Sequence, residues 1–70
     1  MGKNKKQIII ERLQMFNGSV LHALHWRNII SSHIGSDDRT IMSTINMLRD
    51  FGALKEVKPW LYELNLKKIR

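Results

Sequence analysis

The sequence predicts an α+β domain, mostly helical, in the order helix, short strand, helix, helix, strand, strand. Two observations predict this order. Apolar residues recur at helical spacing in three stretches that run up to Gly18, Gly35 and Gly52. After Gly52 the pattern changes to alternation around Pro59, which is typical of a β-hairpin. With 70 residues, the chain is expected to form one domain (residues 1–70) with a core over about 6–66 and flexible basic ends.

The first helix is expected over residues 5–16. Ile9, Leu13 and Phe16 fall at i, i+4 and i+7, so they share one face of a helix. The following Asn-Gly-Ser is a stop signal, because Gly18 can adopt the left-handed conformation that ends a helix.

A short strand and a second helix follow. Val20-Leu21-His22 is apolar and β-prone, which predicts a strand that must pair elsewhere in the chain. The second helix is expected from Ala23 to His33. Its predicted core-facing residues are Leu24, Trp26, Ile30 and Ile34, with Ile29 beside them.

The third helix begins after a turn at Gly35, where a positive φ is expected. Ser36 or Asp37 then caps it, because both are good N-cap residues and acidic groups suit the positive end of the helix dipole. Two helices joined by a short turn with glycine form a helix-turn-helix unit. The predicted inward residues of this helix are Ile41, Ile45 and Leu48, with Thr44 beside them.

The hairpin is expected to run from residue 53 to residue 66. Its strands are predicted over 53–57 and 60–66, with Lys58-Pro59 as the turn because proline cannot donate a ladder hydrogen bond. Trp60 is either an exposed residue at the hairpin tip or a core residue, and the core is favoured because large aromatic residues dominate small cores. Residues 67–70 are expected to form a basic tail.

The charge favours a polyanionic partner. The net charge is +6 and the pI is about 10.2. Residues 1–12 and 55–70 each carry a net charge of +3, whereas residues 13–54 are neutral overall. The alternative is that these lysines are solvated and serve only solubility.

Several classes of protein are disfavoured. The absence of cysteine excludes a disulfide scaffold and a thiolate zinc site, and it fits a reducing compartment. No apolar run exceeds three residues and no signal peptide is visible, so no membrane segment and a cytoplasmic location are expected. His22, His25 and His33 are weak evidence for a metal. No catalytic motif is present, so neither an enzyme nor a cofactor is expected.

The chain resembles the winged helix-turn-helix DNA-binding family, in particular small bacterial and archaeal transcription regulators. The resemblance covers about residues 6–66. It depends on the order of the elements and on three groups of residues. These are Ile30-Ser31 with Ile34-Gly35, then Thr40-Ile41 with Leu48 and Phe51-Gly52-Ala53-Leu54, and finally Pro59 with Tyr62, Leu64 and Asn65. The resemblance implies a three-helix bundle with a small antiparallel β-sheet, and binding of double-stranded DNA in transcription regulation.

A helix of this kind fits the major groove, and lysines and arginines nearby contact phosphates. The base-contact candidates are Arg39 for guanine, Asn46 for adenine, Met42 for a thymine methyl, and Ser43. The phosphate-contact candidates are Lys5, Lys6, Arg49, Lys55, Lys58, Lys67 and Lys68. The alternative is that this face of the helix is exposed to solvent and does not bind DNA.

Two other functions remain open at this point. Asp37-Asp38 place negative charge at the start of the third helix, and Met42 and Met47 are expected to be exposed, which favours a module that binds another protein. The second function is sequence-independent architectural DNA binding through the basic ends. A homodimer would use Ile8 and Met15 of the first helix, or an edge strand.

Overall fold

Three α-helices and a small antiparallel sheet make up residues 4–69, the part of the chain that the computed structural model describes. The elements are α1 (Lys5–Leu13), a 3-10 turn (Gln14–Phe16), β1 (Val20–His22), α2 (Ala23–His33), α3 (Asp38–Asp50), β2 (Leu54–Lys58), β3 (Leu61–Leu64) and a second 3-10 turn (Leu66–Lys68). The α+β class and the order of the elements agree with the sequence prediction. No helix within residues 4–69 has the length and apolar character needed to cross a bilayer.

Strand β3 lies at the centre of the sheet, whose order is β1-β3-β2. Both neighbours run antiparallel to it, with Val20 opposite Glu63 in β1 and Leu54 opposite Leu64 in β2. The short strand β1 therefore pairs with the far end of the chain, as predicted from its apolar sequence. A register shift between Glu56 and Lys58 bends β2 before the hairpin turn.

The core draws on every helix and on the hairpin. Its buried residues are Ile9, Leu13, Trp26, Ile30, Ile41, Leu48, Ala53, Leu54, Leu64, Leu66 and Ile69. The inward faces predicted for α1 and α3 are confirmed, although Phe16 and Ile45 are only partly buried at the edge of the core. Thr44 is fully buried between Ile41 and Leu48 on α3.

The prediction that Leu24 faces the core is wrong, since this residue is 63% exposed. Trp26 and Ile30 are one turn apart and define the buried side of α2. Leu24 precedes Trp26 by two positions, which is a rotation of about 200° around the helix. It therefore points away from the core, while Ile34 is half-buried beyond the last turn.

The prediction that Trp60 is a core residue is also wrong. The hairpin turn consists of Pro59 and Trp60, and Trp60 has φ 67° and is 66% exposed. The second strand is correspondingly shorter than predicted, because it begins only at Leu61 and ends at Leu64. The first strand is shifted by one residue, to Leu54–Lys58, so the prediction that Lys58 belongs to the turn is wrong.

Residues 66–69 fold onto the core instead of forming a free basic tail. Leu66 and Ile69 are buried, so the core extends three residues beyond the predicted limit of 66. The Leu66 N–H donates to Asn17 Oδ1 at 2.9 Å, and the Lys67 N–H donates to Asn65 Oδ1 at 3.1 Å. Residues 1–3 and 70 lie outside the described residues, and with them most of the predicted flexible basic start and the last residue of the predicted tail.

Gly35 does not have the positive φ that was predicted, whereas Gly18 and Gly52 do, at 85° and 76°. The reason for glycine at position 35 is instead a close approach. A Cβ at this position would lie 2.7 Å from Thr40 Cγ2, which is closer than van der Waals contact allows. The turn between α2 and α3 is therefore tight because the start of α3 packs directly against it.

The Gly35→Ala variant should be less stable than the parent, because the added methyl overpacks against Thr40. The clash costs about 1–3 kcal/mol, and lower unfolded-state entropy offsets about 0.4–1 kcal/mol of it. Urea denaturation measures the free energy of unfolding. The matched control is Gly35→Ala with Thr40→Ser, which removes the clashing methyl and should recover most of the loss. An unchanged free energy for Gly35→Ala would contradict the close approach.

Candidate nucleic-acid interface

The start of α3 is fixed by Asp37, one of the two predicted caps. Its carboxylate accepts the Thr40 N–H at 3.1 Å, in the usual manner of an N-cap. Hydrogen bonds from the Thr40 side chain and backbone hold the pKa of Asp37 below its ordinary value of 3.8. This carboxylate is therefore engaged with its own helix, and Ser36 precedes the cap in the turn.

The exposed side of α3 carries the predicted base-contact residues. Arg39, Met42, Ser43 and Asn46 are all exposed, as is Arg49 one turn further on. They lie opposite the buried side of the helix. These five residues are called the α3 face below.

Two lysines from the start of α1 lie beside the α3 face. Lys5 Nζ donates to Ser43 Oγ at 3.0 Å, although the two residues are 38 positions apart. Lys6 Nζ lies 4.4 Å from the centroid of the Phe51 ring, just beyond the end of α3. A capping box between Asn4 and the backbone and side chain of Gln7 fixes the start of α1. The structure thus brings positive charge from α1 to a helix that is neutral by itself.

A groove of about 370 Å³ separates the α3 face from the hairpin. The residues that matter for its chemistry are Leu24 and Arg27 of α2, Met42 and Arg49 of α3, and Trp60 and Tyr62 of the hairpin. The Arg49 guanidinium lies 5.9 Å from the centroid of the Tyr62 ring. The groove is open to solvent, and its apolar side chains come from all three elements.

The hairpin tip is held by Glu56, whose carboxylate accepts the Trp60 N–H at 3.2 Å. Lys58 is the last residue of β2, next to the turn, and is exposed. It is the lysine of the hairpin that lies nearest the tip in sequence.

Other phosphate candidates lie elsewhere. Lys55 pairs with Glu63 on the face of the sheet opposite to Leu54 and Tyr62, which face the groove. Lys67 lines a shallow hollow with Glu63, and Lys68 follows it in the same 3-10 turn. The structure does not bring Lys55 and Lys67 to the α3 face.

Arg27 was missed by the sequence interpretation. Its Nη2 lies 3.8 Å from Asp38 Oδ1, and the two side chains are 44% and 93% exposed, so the ion pair is weak. The sequence did contain a signal for this side of α2. Arg27 lies three residues after Leu24 on the same side of the helix, and a charged residue there favours exposure of that side. The exposure of Trp60 also had a signal: proline at the first central position of a turn places the next residue where type II turns need a positive φ.

Two of the three histidines have structural roles. His22 Nδ1 accepts the Leu24 N–H at 3.1 Å and caps α2, and the His33 ring packs edge-on against Phe16 at 5.4 Å. Within residues 4–69 no group of three or more His, Cys, Asp or Glu side chains is arranged to hold a metal ion. Met47, which was expected to be exposed, packs against the core instead.

Comparison with known proteins identifies no relative of this chain. No protein-family model, curated protein or solved structure matches it. The function of the α3 face and the groove is therefore inferred from their own residues.

The pH dependence of stability should contain a contribution from Asp37. Because its pKa is lowered on folding, its stabilisation is fully present above the unfolded-state pKa and is lost as the pH falls through the folded-state pKa. Asp37→Asn retains an acceptor oxygen at the N-cap but has no charge to titrate. Thermal unfolding from neutral to acidic pH should therefore show a steeper acid loss for the parent than for this variant. Parallel curves would contradict the assignment.

Proposed function

We propose that this protein is a winged helix-turn-helix DNA-binding domain that regulates transcription, with α3 in the major groove. The observation that carries the proposal is the Lys5–Ser43 contact of 3.0 Å, which joins the basic start of the chain to the α3 face. A neutral helix with positive charge beside it suits base readout flanked by phosphate contacts. The order helix, strand, helix, helix, strand, strand further supports it.

Base readout is assigned to the polar side chains of the α3 face. Arg39 suits the bidentate recognition of guanine, and Asn46 suits that of adenine. Seven positions separate them, which corresponds to a rise of about 10 Å along the helix. They would therefore contact different base pairs, with Met42 and Ser43 between them.

Phosphate contacts are assigned to groups on either side of α3. Lys5 and Lys6 flank it on the α1 side, and Lys58 stands beside the hairpin turn. Of the two acidic residues at the start of α3, Asp37 is engaged as the N-cap, and Asp38 lies beside the Arg27 guanidinium. This arrangement reduces the repulsion that the two carboxylates would exert on a phosphate backbone.

Arg39→Ala should lose discrimination at one base position by about 1–3 kcal/mol, because the bidentate contact to guanine is removed. The measurement is selection from random duplex DNA, sequencing of the retained fraction, and anisotropy titration of the selected and substituted sites. Arg39→Lys is the control, because it retains the charge but not the fork geometry. It should keep the non-specific affinity while losing the preference. Unchanged preferences in both variants would contradict base readout by Arg39.

Lys58→Ala should weaken binding to all duplexes alike and lower the slope of log affinity against log salt by about 1, since one phosphate contact is lost. Lys55→Ala is the matched control, because it removes the same charge from the same strand, but further from the hairpin turn and opposite Glu63. It should leave the slope nearly unchanged. Equal losses in the two variants would indicate that net charge alone governs binding, which favours the architectural alternative.

A further inference from the structure

Exposed apolar side chains gather at the groove between α2, α3 and the hairpin. Leu24, Met42 and Trp60 are 63%, 46% and 66% exposed, and all three line it. They come from three different elements, so their proximity results from the fold and not from one local sequence pattern. Clustered apolar surface of this kind marks interaction sites, whereas single exposed apolar residues are ordinary.

The backbone at the hairpin tip has an unfavourable conformation at Trp60, whose indole is exposed. Trp60 has φ 67°, a conformation that is unfavourable for a bulky residue and natural for glycine or asparagine. Its N–H is held by the Glu56 carboxylate at 3.2 Å, which fixes the turn. Because glycine would form this turn more easily, the indole itself is the reason for tryptophan at this position.

Arginines line the groove on two sides, whereas the carboxylate of Glu56 at the hairpin tip is engaged by the Trp60 N–H. Arg27 and Arg49 stand on α2 and α3 at its edge, and the acidic neighbour of Arg27, Asp38, makes only a long and exposed contact of 3.8 Å. A DNA duplex offers few apolar groups, chiefly thymine methyls. An apolar side chain flanked by carboxylates would match both the lining and the rim.

We propose that the groove docks an acidic segment of a partner protein that carries large apolar side chains. Arg27 and Arg49 pair with its carboxylates, while Leu24, Met42 and Trp60 cover its apolar side chains. Met42 and Arg49 belong to the α3 face as well as to the groove, so a bound segment and DNA would compete. That competition rests on the proposed DNA binding, whereas docking itself does not.

The test is fluorescence anisotropy with a short fluorescein-labelled peptide in which two phenylalanines are flanked by glutamates. Control peptides carry serine in place of phenylalanine, or lysine in place of glutamate. Leu24→Ser should weaken binding by about tenfold or more. Met15→Ser is the matched control, since Met15 is 73% exposed but lies outside the groove; it should bind the peptide as the parent does.

Trp60→Gly separates a binding role from a structural one. Since glycine adopts the same positive φ without steric strain, this variant should unfold at a temperature no lower than that of the parent. Its affinity for the peptide should nevertheless fall by about tenfold. A purely structural tryptophan would instead lower the unfolding temperature when it is removed.

Three results would overturn the proposal. The first is no peptide binding at millimolar concentration, and the second is equal binding of the serine control, which would reduce the effect to charge. The third is loss of duplex affinity in Leu24→Ser with peptide binding unchanged, which would assign the groove to DNA. Peptide binding by a chain that does not retain duplex DNA would refute the proposed function and leave the docking site intact.

Discussion

The arrangement of this domain depends on Trp26. Its indole is buried, its Nε1–H donates to the Tyr62 carbonyl at 2.9 Å, and its ring meets Phe16 edge-on at 6.5 Å. One side chain thus connects α2 with the central strand of the sheet and with the end of the first helical segment. A buried indole needs such a partner for its N–H. The position of the hairpin beside α2, and hence the width of the groove, follows from this contact.

Folding also changes where the charge lies. In the sequence the positive charge is at the two ends and the centre is neutral. In the structure one end reaches the α3 face through Lys5, whereas Lys55 and Lys67 of the other end lie on the far side of the sheet. The net charge of +6 therefore describes the whole surface and says little about the site. The proposed interface depends on the few cations that the fold places beside α3.

Local sequence determined the helices well and the tertiary details less well. The bounds of α2 and the cap at Asp37 were predictable, because helical spacing and N-cap chemistry are local. The close approach at Gly35 was not, since it depends on where the Thr40 methyl lies after folding. The burial of Ile69 likewise depends on the remote Asn17, whose side chain helps to hold the chain end through the neighbouring Leu66. For the site, the pattern predicted the exposure of the five residues of the α3 face. It predicted neither the packing of Met47 against the core nor the contact between Lys5 and Ser43.

Trp60 is the residue at which local preference and the observed structure disagree most. Natural sequences are usually consistent from turn chemistry up to packing, and the exceptions concentrate at functional sites. At this tip the turn needs a positive φ, yet the side chain is large, exposed and directed to a groove that also contains Leu24. Neither core packing nor turn stability accounts for an indole there. A surface that must cover an apolar partner accounts for the exposure of the indole. It also accounts for the strained backbone, because that backbone conformation presents the indole at the groove.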